Sequence, residues 1–186
     1  MRHLITGGSG FLGNLIMKRL LKKGEEVKVL DIWKDNNLPD GVEFINCDIR
    51  DADKVQKSMK GIDIVHHNVA LVPLTKSGKT FREVNVDGSR IAAQAALNAG
   101  VNGFIHMSSS ALYGAVNKFP IDNKTEIKPI EIYGRGKLEG EIAVRDTLCS
   151  NSMPLIIIRP RTILGEGRLG IFQILFDWIN NNKNVY

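Results

Sequence analysis

Tyr133 and Lys137 stand in the run YGRGK, four residues apart. On a helix that spacing puts both side chains on one face, a turn apart. A phenol has a reference pKa of about 10, too high for a base near neutral pH. An ammonium beside it favours the phenolate and lowers that value. The pair could then take a proton from a substrate hydroxyl, or return one. A further hydroxyl comes from MSSSALYG, residues 107–114, which closes an apolar run. A serine at the carboxyl end of a parallel strand faces the crevice where ligands bind. Taken alone, neither pattern is specific: a Y-x-x-x-K pair is mostly a chance surface neighbour, and Ser108–Ser110 could simply form a hydrogen-bonded turn.

A second constellation lies at the opposite end of the chain. Residues 6–13 read TGGSGFLG between an apolar run and an amphipathic one. Gly7 permits a tight turn, Gly10 lets backbone approach a pyrophosphate, and Gly13 lets the helix pack against the sheet. The helix opening at Phe11, Leu12 and Gly13 offers unpaired N–H groups and a positive dipole end to phosphate. The alternative is a strand-to-helix turn with no ligand. Asp31, at the end of VKVLD and 18 residues beyond Gly13, favours binding. It sits close to the distance of about 20 at which a carboxylate accepts hydrogen bonds from the adenosine ribose. It would repel the extra phosphate of NADP, so the expected cofactor is NAD, with Lys34 close by as a counterweight. In NCDIRD, Asp48 could bond the adenine amino group and Ile49 pack on the ring; capping of the following helix is an equal use for Asp48. With NAD bound, its cationic ring adds to Lys137 in favouring a Tyr133 phenolate, and Lys137 can also reach the nicotinamide ribose.

Elements must bring these pieces together. Strands are expected at His3–Thr6, Val27–Asp31, Val42–Asn46, Ile62–His66, Gly103–Met107 and Leu155–Arg159. Helices are expected at Phe11–Lys23, Asp51–Met59, Phe81–Asn98, Tyr133–Cys149 and Ile171–Asn180. Asn36, Asn37, Pro39 and Gly41 make the link before the third strand a loop. Asn117–Pro129 and Leu71–Lys79 read as the longest loops. This alternation predicts an α/β fold: a doubly wound parallel sheet of six strands, right-handed crossovers, and helices on both faces. No linker or repeat divides residues 1–186, which read as one dinucleotide-binding domain.

Composition excludes other classes. The chain has 186 residues, is 43% hydrophobic and 24% charged, and carries a net charge of +5 with both signs interleaved. That describes a solvated surface, not a nucleic-acid stripe. No apolar run reaches the roughly 18 residues of a membrane span, and none at the N-terminus reads as a signal peptide. Cys47 and Cys149 are too few for a disulfide framework and show no metal-ligand spacing. The cytoplasm is the simplest compartment.

TGGSGFLG, Asp31, CDIRD, NVDG, SSSALYG and YGRGK, in this order, resemble the extended short-chain dehydrogenase/reductase family, in particular its NAD-dependent epimerase/dehydratase group acting on sugar nucleotides. The resemblance spans essentially the whole chain. It implies a Rossmann domain, a Ser-Tyr-Lys catalytic group and NAD. Leu112-Tyr113-Gly114 sets the register that makes Ser109 the catalytic serine, with Tyr133 the base and Lys137 its partner. The family's H-x-A-A loop falls on His67–Ala70, passing Val69 and Ala70 along the cofactor, with His67 structural. Asn85 matches a helix-start asparagine near that loop, and Pro160 and Arg161 should pass the nicotinamide carboxamide. Ser110 and Ala111 stand where the dehydratases carry Asp-Glu, which argues against 4,6-dehydratase chemistry, and Thr162 replaces a substrate-contacting Asn of many epimerases. The implied activity is nucleotide-sugar epimerisation of the UDP-glucose 4-epimerase kind by transient hydride transfer. Alternatives are a dehydrogenase or reductase on another alcohol or ketone, or a non-catalytic NAD-binding module. Members of the family continue well beyond this length, so a C-terminal substrate domain is expected to be missing. Helices Phe81–Asn98 and Tyr133–Cys149 should pair two subunits, with Ala92, Ala95, Ala96 and Ala99 as a close-packing face.

Overall fold

The computed structural model describes residues 1–72, 78–149, 152–166, 168 and 171–181. Six strands form one sheet: β1 (Arg2–Thr6), β2 (Glu26–Asp31), β3 (Glu43–Asn46), β4 (Ile64–His67), β5 (Gly103–Met107) and β6 (Leu155–Ile158). Their order is β3-β2-β1-β4-β5-β6, and every pairing is parallel. Helices are α1 (Phe11–Leu21), α2 (Ala52–Ser58), α3 (Gly78–Arg82), α4 (Gly88–Asn98), α5 (Ile132–Leu148) and α6 (Ile171–Asn180). The expected doubly wound α/β sheet is present, and the link 32–42 is a loop.

Alternation along the strands explains the two layers. Leu4, Leu30, Val65 and Phe104 point to one face, where they pack with Val55 of α2, Ala92, Ala93 and Ala96 of α4 and Val144 of α5. Ile5, Val27 and Val29 point to the other, against Met17 of α1. Ile156 and Ile158 of β6 are exposed.

Some boundaries move. β4 runs Ile64–His67 rather than Ile62–His66, which places His67 on the strand; its ring bonds Thr6 Oγ1 at 2.8 Å and Ser89 Oγ at 3.1 Å. β6 ends at Ile158, before Arg159. The helix expected from Phe81 starts at Gly78 and passes through a π-helical turn, Glu83–Asp87, between α3 and α4. Asn85 therefore lies inside that turn, not at a helix start. Much of Leu71–Lys79 lies outside the described residues. Ala92, Ala95 and Ala96 are buried within their own subunit: α4 approaches α2 and α5 closely, and small side chains make that approach possible. Three of the four alanines of the expected face therefore pack inside the subunit, while Ala99 is exposed.

Candidate active site

One crevice of about 580 Å³ opens along the carboxyl ends of the strands, lined from Gly7, Gly10 and Asp31 at one end to Ser109, Tyr133 and Lys137 at the other. Its first wall is backbone. Gly7 turns the chain at φ +69, and a Cβ at Gly13 would sit 2.3 Å from the Gly7 carbonyl oxygen, so only glycine lets α1 start this close to β1. Gly10, the N-cap of α1, carries no side-chain cap. The N–H groups of the first turn have no intrahelical partner, and Phe11, Leu12 and Gly13 of that turn line the crevice. No acidic residue stands in it. An anion fits there, and the empty Cβ position of Gly10 keeps the approach open.

Asp31 ends β2 beside this turn. Its carboxylate accepts from the Ser9 amide at 3.1 Å and the Ile32 amide at 2.8 Å. Burial raises its pKa, while the Ser9, Ile32 and Trp33 amides act the other way. Asp48 and Ile49 line the same end. Capping of α2 is done by Asp51, which accepts from the Lys54 amide at 3.1 Å. Asp48 is instead gripped by Arg50, whose Nε reaches Oδ1 at 3.0 Å and Nη2 reaches Oδ2 at 2.7 Å. This grip holds the Asp48 carboxyl below its ordinary value.

The far wall is built by β5 and α5. Ser109 follows β5, is nearly buried, and caps the 3-10 turn Ser110–Tyr113 by accepting from the Ala111 amide at 3.2 Å. α5 carries Gly134, Gly136 and Gly140, each costing a helix interior roughly 1 kcal/mol against alanine. Packing explains them: a Cβ there would lie 2.5 Å from the Ala111 carbonyl oxygen, the Phe81 ring and the Asn85 carbonyl oxygen respectively. These approaches seat α5 against the turn after Ser109 and bring Tyr133 and Lys137 into the crevice.

Burial dominates the proton affinity of both partners. Burial raises the Tyr133 pKa, with the Ser109 hydroxyl and the Arg168 guanidinium acting the other way. Lys137, one turn further along α5, points its Nζ at the end of β5, where it donates to the Met107 carbonyl. Burial lowers Lys137 to about 8, with Glu141 opposing. Beneath Lys137 lie His67 and His106, stacked at 5.5 Å. Burial and the lysine keep His67 well below its ordinary value and His106 down to about 3, so both rings are neutral.

Val69, Ala70, Pro160 and Arg161 line the crevice; Asn85 does not. Asn85 instead clasps the Leu71 backbone, accepting from its amide at 2.8 Å and donating to its carbonyl at 3.0 Å, and Leu71 lines the crevice. Trp33, Arg50 and Arg168 also line it and were not foreseen. Arg168 lies over the Phe11 ring, 5.4 Å from its centroid. Among the described residues, no group of His, Cys, Asp and Glu is arranged to hold a metal.

The sequence model of the NAD dependent epimerase/dehydratase family matches residues 3–184. This chain belongs to that family. Its members are NAD-dependent enzymes, in keeping with the glycine turn and Asp31. Among related sequences, an uncharacterized protein, y4nG, of Sinorhizobium fredii is 41% identical over 98% of this chain and 46% of its own. A 3 beta-hydroxysteroid dehydrogenase/Delta 5-->4-isomerase of Monkeypox virus is 30% identical over 98% of this chain and 58% of its own. The UDP-glucose 4-epimerase of Thermus thermophilus, solved in complex with NAD, superposes with a TM-score of 0.83 at 27% identity, covering 100% of this chain and 64% of that one. The chain thus spans roughly half to two thirds of the length of these relatives. No helix among the described residues is long and apolar enough to cross a membrane.

Proposed function

We propose that residues 1–186 are the NAD-binding domain of a nucleotide-sugar epimerase of the UDP-glucose 4-epimerase kind. The observation that carries this reading is the single crevice joining the glycine turn and Asp31 to Ser109, Tyr133 and Lys137. Bound there, NAD would supply a hydride acceptor and donor. The amides of the α1 first turn bind its pyrophosphate, Asp31 holds the adenosine ribose, and Ile49 packs on the adenine beside Asp48. Val69, Ala70, Pro160 and Arg161 line the path to the reactive end, and Asn85 fixes the Leu71 backbone beside it. Ser109 orients the substrate hydroxyl and Tyr133 exchanges its proton. Lys137 serves the nicotinamide ribose. The substrate is a nucleotide sugar, and the protein works in the cytoplasm.

A homodimer through α4 and α5 belongs to the same reading. Its surface is the outward side of these helices, where Gln94, Ala99, Glu139 and Ile142 are exposed, not the buried Ala92, Ala95 and Ala96. Light scattering tests it directly.

A dehydrogenase acting on another alcohol is the second reading, favoured by the 30% identity to the poxvirus hydroxysteroid enzyme. The decisive assay supplies the purified protein with NAD, offering UDP-glucose and UDP-galactose on one side and a hydroxysteroid on the other. Interconversion of the sugars supports the first reading. Net NADH formation from the steroid alone supports the second, and neither with bound NAD points to a binding module.

A further inference from the structure

The end of β5 is held by α5 at two successive points. Lys137 donates to the Met107 carbonyl. One helical turn on, Glu141 accepts from the hydroxyl of the next residue, Ser108, at 3.0 Å. Ser109 follows immediately. Glu141 is 2% exposed, and it accepts from two guanidinium groups. Arg159 Nε reaches Oε2 at 3.0 Å, and its Nη2 bonds Oε1. Arg145 Nη2 reaches Oε1 at 3.1 Å. Arg159 directly follows β6, and its Nη1 donates to the Tyr113 hydroxyl at 2.8 Å. Backbone bonds run parallel to this: the Ser108 amide to the Ile158 carbonyl and the Ser110 amide to the Pro160 carbonyl, both 2.8 Å. The exits of β5 and β6, the turn after Ser109 and the reactive face of α5 therefore converge on one buried carboxylate.

Burying a carboxylate is costly unless each oxygen is bonded. Here both are, and the arrangement has a further effect. Lys137 is also buried, with two neutral histidines beneath it and a carbonyl at its tip. Among the described residues, Glu141, one turn away, is the acid that acts on it.

We propose that Glu141 is a positioning residue of the Ser109–Tyr133–Lys137 site: through Ser108 and Arg159 it fixes the β5 exit against α5, and it provides the counter-charge that keeps buried Lys137 cationic. The inference rests on the reading of this crevice given above. A glutamate that merely packs would affect stability and leave the Lys137 charge alone.

The test is a titration of the cofactor-free chain labelled at the lysine ε-carbon, followed by NMR, with Lys137→Met identifying the signal. In the parent, burial is expected to bring the Lys137 midpoint down to about 8, apart from ordinary lysines at about 10.4. Glu141→Gln is expected to move that midpoint down by about one pH unit or more, since a charge one turn away in a dry site is lost. Arg145→Ala changes only an exposed partner and leaves Glu141 less neutralised, so it should move the midpoint up, and it serves where Glu141→Gln does not fold. Opposite signs in the two variants support the proposal. An unmoved midpoint in either variant, shifts of the same sign, or a parent midpoint at the ordinary lysine value would overturn it. Because the titration needs no NAD, a parent that fails to bind NAD contradicts the functional reading and not this result.

Discussion

The two walls of the crevice hold their contents by different means. The β1–α1 wall works with backbone: three glycines remove side chains, and amides of one helical turn face the opening. The carboxylate beside it, Asp31, is itself oriented by neighbouring amides. The β5–α5 wall works with buried charge, Lys137 and Glu141 being 5% and 2% exposed. A rigid backbone cradle suits an invariant anionic group such as a pyrophosphate. A wall whose proton affinities are set by burial and neighbours suits a group that must change charge during a reaction.

Substitutions should separate the walls. On the proposed reading, Tyr133→Phe should lower turnover by about 100- to 10,000-fold with NAD affinity intact, measured by steady-state kinetics alongside calorimetry. Glu141→Ala leaves Arg159 unpaired beside a buried site, and urea unfolding should show a loss of about 3–5 kcal/mol. Asp31→Ala removes hydrogen bonds to a carboxylate, each about 1.5–3 kcal/mol. NAD affinity measured by calorimetry should fall roughly ten- to a hundredfold while NADP gains relative to NAD. Arg50→Ala cuts a largely exposed pair and should change stability by about 0–1 kcal/mol, read from the unfolding temperature.

The pH dependence sharpens the contrast further. The Lys137 pKa falls from 10.5 in the unfolded chain to about 8 in the fold. Between those values the unfolded chain binds the extra proton, so this group makes the protein more stable as pH rises. Over the same window the cation is lost. NAD affinity should therefore weaken above about pH 8 while unfolding resistance holds or increases. A parallel fall in both would show that Lys137 titrates elsewhere.

How much of this is legible in the sequence follows from distance along the chain. The glycine turn, Asp31 and the strand pattern are local signals, and the loop 32–42 announced itself through Pro39 and Gly41. The reactive wall depends on pairs far apart: Ser108 and Glu141 are separated by 33 residues, Lys137 and Met107 by 30. Nothing near Glu141 in GKLEGEIAV distinguishes it from a solvated helix residue. The family resemblance, not a local signal, places Asn85 at a helix start. The chain instead continues through a π turn, and Ser89 Oγ takes up the Asn85 carbonyl at 2.8 Å. Ala92, Ala95 and Ala96 of α4 read as part of a docking face because periodicity gives a small side and not the neighbour that it meets. The partner of Lys137 is hidden for a similar reason: i, i+4 spacing puts it on the Tyr133 face but does not show the β5 carbonyl that its Nζ meets.

Gly10 offers the most direct test of the account. Its φ of −73 and ψ of 167 suit any residue, and an added Cβ would stand 3.3 Å from the Gly7 carbonyl oxygen with nothing else in contact. Gly10→Val should therefore fold with a nearly unchanged unfolding temperature while its side chain fills the approach to the α1 amides. Calorimetric titration with NAD is expected to show one site per chain in the parent and no binding in Gly10→Val. A parent without NAD binding, or a folded Gly10→Val that binds NAD as tightly as the parent, would contradict the account.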